Sequence, residues 1–225
     1  MNNCSNCEIR QLTVLKSLSP QELEKISLCK CSSTVKKGNF VFDENQTLNG
    51  VYVVRGGVCK LTKLSENGKD HIVKLVVKGG LLGHRSVISE EKTNLRAVAL
   101  NDLEVCFIPK EELLRRLHEN NLVAFDMLKD LANNLKEADN YIVDIANKSV
   151  KKRLADLLLY IETNFGTEAD NTLSLMLSRE EMANLVGTAT ESAIRILSQF
   201  KAEGLVAFSG KKIIILNAEG LEKVV

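Results

Sequence analysis

The sequence predicts an α+β protein in which an N-terminal antiparallel β-roll, a long dimerisation helix and a C-terminal winged helix-turn-helix follow one another. Three observations predict this order. Residues 33–109 hold short β-branched runs separated by glycines, residues 110–146 carry a helical repeat without glycine or proline, and the remainder combines a capped helix pair with a final hairpin. We therefore place the boundaries of the three parts at residues 1–109, 110–146 and 147–225.

The composition is that of an ordinary globular chain. Of the 225 residues, 44% are hydrophobic and 26% are charged, and no apolar run approaches the roughly 18 residues of a membrane span. The first ten residues lack the apolar core of a signal peptide, so we expect a cytoplasmic protein that does not enter a membrane. No Ser/His/Asp order, paired carboxylates or phosphate-cradling glycine loop stands out, and we expect no enzyme.

Net charge indicates no particular partner. It is +1 for the whole chain, and the last 80 residues hold ten basic and ten acidic side chains. Basic residues do cluster locally, which suffices for contacts with phosphate groups. The two clusters consist of Lys148, Lys151, Lys152 and Arg153, and of Arg195, Lys201, Lys211 and Lys212.

The N-terminal part begins with a short helix and continues as strands. Ser19 and Pro20 supply an N-cap and a first helical residue. Asn67-Gly68 stands between two apolar runs and is the strongest hairpin signal of the chain. Short strands at this spacing predict a small antiparallel barrel or roll. The runs that carry the prediction are 51–54, 58–61, 71–77 and 105–108.

The middle part has the pattern of a two-stranded coiled coil. Its apolar residues alternate steps of three and four, which makes a narrow seam, whereas a helix that packs on its own globular core usually shows a wider stripe. Packing on the roll is the alternative, and we favour a dimer seam. The seam residues are Leu128, Leu131, Leu135, Ala138, Ile142 and Ile145.

The C-terminal part has the order of a winged helix-turn-helix. Ser178 and Glu181 form a capping box, and Gly187 permits a turn with positive φ between two short helices. A hairpin that turns at Ser209-Gly210 follows, with Lys211 and Lys212 beside the turn. An ordinary helix corner would lack such a wing. We expect inward side chains at Met182, Ala183, Val186, Ile194, Leu197 and Phe200.

This order of parts resembles the CRP/FNR family over essentially the whole chain. The resemblance implies a homodimeric, sequence-specific transcription regulator whose partners are double-stranded DNA and RNA polymerase. Family members carry an E-x-x-x-R pair on the recognition helix, which Glu191 and Arg195 match, and Ile194 replaces the serine or glycine often found before the arginine. Arginine can donate hydrogen bonds to the base edge of guanine, and glutamate can accept one from the amino group of cytosine. The alternative is that Glu191 and Arg195 only form an exposed ion pair with each other. We expect DNA contacts from Thr190, Glu191, Ser192, Arg195, Lys211 and Lys212.

Rolls of this family often bind a cyclic nucleotide, but the residues for that ligand are missing here. The site needs a glutamate for the ribose and an Arg-Ser or Arg-Thr pair for the cyclic phosphate. His84 stands at the glutamate position and Thr93-Asn94 at the position of the pair. Cyclic AMP binding is therefore not expected.

The FNR branch of the family instead holds a [4Fe-4S] cluster on three N-terminal cysteines and one cysteine of the roll. Cys4, Cys7 and Cys106 match three of these ligands, and Thr13 stands where the remaining one would be. Cys29, Cys31, a carboxylate or a small molecule would have to complete the cluster. A loose zinc site, a redox dithiol and cysteines without any function are the alternatives.

The resemblance thus predicts a regulator that responds to redox state, to oxygen or to a small molecule through its roll. The alternative, from a different class of function, is that the protein is a sensory module whose roll acts through protein partners rather than through DNA. Retention on heparin or random DNA that falls with salt would distinguish the two.

Overall fold

Eight strands of the N-terminal unit form two four-stranded antiparallel sheets in the structure, a computed structural model that describes residues 7–65 and 70–225. The chain divides into two units, residues 1–136 and 137–225. One sheet has the order β1-β8-β3-β6 and the other β2-β7-β4-β5. The strands are β1 (Cys31–Val35), β2 (Phe40–Phe42), β3 (Gly50–Gly56), β4 (Cys59–Leu64), β5 (Asp70–Val76), β6 (Leu81–Leu82), β7 (Arg96–Ala99) and β8 (Leu103–Pro109).

The predicted roll is confirmed. Strands β4 and β5 pair antiparallel, as the hairpin signal predicts, while Asn67 and Gly68 themselves lie outside the described residues. Alternating side chains of both sheets fill one core, in which Val51, Val54 and Leu103 are fully buried.

An N-terminal arm and helix α1 (Pro20–Cys29) cover part of the roll. The arm forms two short 3-10 helices, Glu8–Leu12 and Val14–Ser17, which bury Ile9, Val14 and Leu15. Helix α1 begins as predicted, with Ser19 as its N-cap and Pro20 in its first turn, and Glu22 completes a capping box with Ser19. The arm is thereby held against the sheet that contains β8. The next helix in the chain, α2 (His84–Ser89), lies between β6 and β7.

The middle part consists of two helices, α3 (Lys110–Glu119) and α4 (Asn121–Asn147), where the sequence predicts one. Asn120 has an extended backbone, and its Oδ1 accepts hydrogen bonds from the amides of Leu122 and Val123 at 3.1 and 3.3 Å. An asparagine side chain competes in this way with the helix backbone and caps the following helix. Its amide group also donates to Glu22 of α1, which fixes the break beside the arm.

The C-terminal unit packs three helices and a hairpin on one core. Helices α5 (Val150–Phe165), α6 (Arg179–Val186) and α7 (Thr190–Ala202) precede strands β9 (Val206–Ser209) and β10 (Lys212–Ile215) and the short helix α8 (Ala218–Glu222). The hairpin turns through Gly210 with φ +60°, as predicted. No helix in the described ranges is both long and apolar enough to cross a membrane.

Candidate nucleic-acid interface and thiol pocket

Local signals in the sequence set the angle between α6 and α7. The Ser178 hydroxyl accepts from the Glu181 amide at 3.1 Å, and the Glu181 carboxylate accepts from the Ser178 amide at 2.9 Å. Gly187 ends α6 in the left-handed region, with φ +66° and ψ +52°. Met182, Ala183 and Val186 are buried, as predicted. The two helices therefore form a helix-turn-helix whose start and turn are both encoded locally.

Helix α7 buries one face and exposes the opposite one. Its buried side chains are Ala193, Ile196, Leu197 and Phe200, and the expectation that Ile194 points inward is wrong because 46% of this residue is exposed. A helical repeat fits a buried set at positions 193, 196, 197 and 200, and it equally fits one at positions 194, 197 and 200. Only the packing of the unit determines which of the two sets is buried.

The two residues of the E-x-x-x-R pair lie on the exposed face. Glu191 and Arg195 are exposed, and Thr190 and Ser192 beside them are half-buried. No salt bridge joins Glu191 to Arg195, although the structure describes both residues. The alternative of an ion pair between them therefore finds no support, and both side chains remain free to take other partners.

The wing presents one free lysine and one paired lysine. Lys212 donates to both carboxylate oxygens of Glu168, at 2.8 and 2.9 Å, and this hydrogen bonding raises the pKa of Lys212. Lys211 is exposed, and no ion pair engages it in the part of the chain that the structure describes. Lys211 is thus the lysine of the hairpin whose charge is open to a phosphate group.

The first predicted basic cluster has a structural role instead. Arg153 caps two helix ends, since its guanidinium donates to the carbonyl of Val186 in α6 at 2.8 Å and to that of Lys148 at 2.7 Å. The three lysines of the cluster are also engaged within the unit. Their partners are Asp144 and Asp156 for Lys148, Glu203 for Lys151, and Asp156 for Lys152.

Arg179 is a residue that the sequence analysis missed. It is the first residue of α6, and its guanidinium lies 4.7 Å from the centre of the Phe208 ring on β9. Burial lowers the pKa of Arg179. The contact links the start of the helix-turn-helix to the wing. A basic residue directly after a capping serine was the available signal.

A stripe of apolar side chains on α4 is exposed along the predicted seam. The exposed fractions are 61% for Leu128, 64% for Leu135, 64% for Ile142 and 43% for Ile145, and Ala138 is exposed as well. Val123 and Met127 are buried against the roll, and Leu131 is half-buried beside them. The helix therefore packs on its roll through its first turns, whereas every residue from Leu135 to Val143 is exposed, the seam residues among them.

Two of the three predicted cluster ligands line one pocket. Cys7 of the arm and Cys106 of β8 share it with apolar side chains that include Ile9, Ile26 and Val53. Cys4 lies outside the described residues. In the described part of the chain, no group of three or more His, Cys, Asp or Glu side chains is placed to hold a metal ion. The structure thus brings together two thiols that are 99 positions apart.

Thr13 has a structural role in this pocket. Its hydroxyl accepts from the Leu15 amide at 3.0 Å and donates to the Arg10 carbonyl at 3.0 Å, so it caps the second 3-10 helix of the arm. Threonine therefore suits the local backbone at the position where the family resemblance predicts a cysteine.

Three cationic residues also line this mainly apolar pocket. Arg10, Lys30 and Arg55 line it, and none of the residues that line it is acidic. The Nε atoms of Arg10 and Arg55 are both buried without a hydrogen-bond partner among the described residues. Arg10 is held through Nη2, which donates to the Leu18 carbonyl at 2.7 Å. Buried unpaired donors favour an anionic occupant.

Comparison with known proteins decides the relationship of this chain. Residues 152–224 match the model of the Crp-like helix-turn-helix domain, and residues 33–120 match that of the cyclic nucleotide-binding domain. The transcriptional activator protein Anr of Pseudomonas protegens is 26% identical over 218 residues, which cover 96% of this chain and 89% of that protein. The fumarate and nitrate reduction regulatory protein of Vibrio cholerae is 25% identical, with 96% and 87% covered.

Solved structures agree with these matches. A regulator assigned to the CRP/FNR family from Eubacterium rectale superimposes with a TM-score of 0.78 at 25% identity, covering 94% of this chain and 98% of that one. This chain belongs to the CRP/FNR family. As a CRP/FNR protein it is a transcription regulator with a helix-turn-helix DNA-binding domain, and its relatives are regulators rather than enzymes. FixK2 of Bradyrhizobium japonicum, at 23% identity and a TM-score of 0.76, shares the fold.

In this CRP/FNR roll, the two positions of the cyclic-nucleotide site have other partners. His84 opens helix α2 (His84–Ser89) and places Nε2 3.4 Å from Asp130 of α4; burial lowers the pKa of His84. Thr93 is buried, and its hydroxyl donates to the Asp43 carbonyl at 2.6 Å. Asn94 accepts a hydrogen bond from Arg85. The match to the cyclic nucleotide-binding domain therefore describes the fold, and the absence of cyclic AMP binding stays a prediction.

Proposed function

We propose that this chain is a homodimeric, sequence-specific transcription regulator that reads DNA with α7 and senses redox state through the thiols of its arm and roll. In this proposal, residues 1–109 form the sensory part, residues 110–146 the dimerisation part and residues 147–225 the DNA-binding part. The observation that carries it is the exposed, unpaired pair Glu191 and Arg195 on the outer face of a capped helix-turn-helix. A sensory roll that acts only on protein partners would need no such face.

Each polar side chain of this face suits a particular chemical group of DNA. Arg195 suits O6 and N7 of a guanine, and Glu191 suits the amino group of a cytosine. The half-buried hydroxyls of Thr190 and Ser192 and the free ammonium group of Lys211 contact phosphates. Lys212 can contact a phosphate only when its bond to Glu168 is broken, so its expected contribution to DNA affinity is smaller.

The apolar seam of α4 supports a homodimer. Four large apolar side chains along one helix face are 43–64% exposed, and burying such a stripe against a second copy is favourable. Two helix-turn-helix units related by twofold symmetry would meet two half-sites about one helical turn, roughly 34–36 Å, apart. RNA polymerase follows as a partner from the function in transcription.

Selection from random duplex DNA tests the proposal. We expect the wild-type protein to enrich an inverted repeat that contains a guanine, and to bind it far more tightly than random duplex. Affinity for both should fall with salt, with a slope of about −0.9 per phosphate contact. A scrambled duplex of equal length and composition is the control. Enrichment of no sequence, together with binding that does not depend on salt, would favour the protein-partner function instead.

In this proposal the sensor is an iron–sulfur cluster held by Cys4, Cys7 and Cys106, and the pocket that Cys7 and Cys106 line supports it. Thiolate ligands carry negative charge, and the pocket offers Arg10, Lys30 and Arg55 with two buried Nε donors that lack partners in the described residues. A bound [4Fe-4S] cluster would supply a centre that oxygen can alter. A relative from Haemophilus influenzae, 24% identical, is named anaerobic regulatory protein, which supports oxygen or redox state as the signal.

Serine variants test this site by iron content. After anaerobic reconstitution with iron and sulfide, the wild type should hold roughly four irons per chain. Cys7→Ser and Cys106→Ser should lose them, because a hydroxyl is a poor ligand for iron. Cys59→Ala is the matched control: this thiol is buried in the other sheet, and burial raises its pKa to about 12, so it stays protonated.

The same measurements separate the alternatives. The cluster would be contradicted if both serine variants retained their iron, or if neither the wild type nor any variant bound iron. Zinc content and thiol titration of the same preparations would then distinguish a zinc site from a redox dithiol. Iron that survives in Cys29→Ser and Cys31→Ser would exclude these two exposed cysteines as the ligand of the remaining iron.

A further inference from the structure

Ile194 occupies the reading face of α7 rather than its core. Successive helical residues are separated by about 100° around the axis. Glu191, Ile194 and Arg195 therefore share an arc of about 100°, while Ala193, Ile196, Leu197 and Phe200 fill the opposite side. With 46% exposure, Ile194 presents an apolar surface at one edge of this arc, beside two side chains that suit base edges.

The surroundings of Ile194 leave this surface available. Ser198, one turn further along, directs its hydroxyl to the carbonyl of Ile194 at 3.0 Å and so does not extend over the side chain. A single exposed isoleucine is ordinary on a protein surface. This one is distinguished by its position, because the helix face that carries it is the face proposed to enter the major groove.

The major groove offers one apolar group on its base edges, the 5-methyl group of thymine. Isoleucine cannot donate or accept a hydrogen bond, so it cannot read any other base edge directly. Its branched Cβ also restricts its rotation, which suits a fixed contact with a methyl group.

We propose that Ile194 is a specificity-determining residue that packs against the 5-methyl group of a thymine next to the base pair read by Arg195. The inference rests on the proposed function, since it needs α7 in the major groove. Burying one methyl group should change affinity about fourfold for each half-site, and therefore about fifteenfold for a symmetric site.

Deoxyuridine lacks only the methyl group of thymidine and provides the test. In the selected inverted repeat, each thymine is replaced in turn, symmetrically in both half-sites, and the dissociation constant is measured. We expect one position at which the wild type loses about fifteenfold in affinity. Ile194→Val keeps a branched apolar side chain and should retain the loss, whereas Ile194→Ser should bind thymine and deoxyuridine equally there. The circular dichroism of all variants should match that of the wild type, because the residue is exposed.

The outcomes separate this inference from the proposed function. If no thymine position distinguishes wild type from Ile194→Ser, but Arg195→Ala relaxes the preference at one base pair, Ile194 does not read a methyl group and the reading function stands. If the wild type itself shows no sequence preference, both are overturned. A selected half-site without thymine beside the guanine also overturns the inference.

Discussion

The variant Ala138→Asp should be a monomer under conditions in which the wild type is a dimer. Ala138 is exposed on α4 between the apolar residues Leu135 and Ile142. In a dimer, its two copies would face each other in a dry seam. Aspartate there would bury two like charges without partners, at a cost of about 3–5 kcal/mol for each uncompensated charge.

Sedimentation in metal-free, reducing buffer measures this effect. We expect a dimeric wild type, because none of the seam residues Leu128, Leu131, Leu135, Ala138, Ile142 and Ile145 is charged. Asn140→Asp is the matched control: it adds the same charge two positions away, on the other side of the helix, and should leave the dimer intact. A monomeric wild type in this buffer would contradict an intrinsic dimer seam, and equal dissociation of both variants would indicate a general effect of charge.

The variant Arg195→Ala should lose about 1–3 kcal/mol of binding free energy at the selected site, roughly a 5- to 150-fold change. The reason is that a bidentate contact between a guanidinium group and guanine has no substitute on α7. Arg195 has no ion-pair partner within the described chain, so its removal leaves no buried charge behind, and the fold should be unaffected.

Comparison with Lys211→Ala distinguishes base reading from charge. Lys211 is predicted to contact a phosphate, so its removal should weaken binding to all duplexes alike and reduce the salt slope by about 1. Arg195→Ala should instead relax the preference at one base pair. If its affinity for selected and random duplexes fell equally, Arg195 would be a phosphate contact and not a reader of sequence.

Where a local signal suffices, the sequence and the structure agree. The sequence predicts the N-cap at Ser19, the capping box at Ser178, the positive φ of Gly187 and the hairpin turn at Gly210, and the structure has all four. Each depends on a few adjacent residues and on the conformational limits of the backbone. The boundary at Asn120 also had a local signal, since asparagine is a preferred N-cap, but the uninterrupted helical repeat concealed it.

By itself, the sequence determined the order of the parts, the helix-turn-helix with its exposed Glu191 and Arg195, and the narrow apolar repeat of α4, because periodicity and capping are properties of neighbouring residues. Tertiary structure alone decided three further matters. It turned Ile194 outward, bound the basic cluster around Arg153 to carboxylates and carbonyls of its own unit, and placed Cys7 of the arm and Cys106 of β8 on the wall of one pocket. These depend on which of several similar faces is buried and on contacts between distant segments, and such contacts are set by packing over the whole domain.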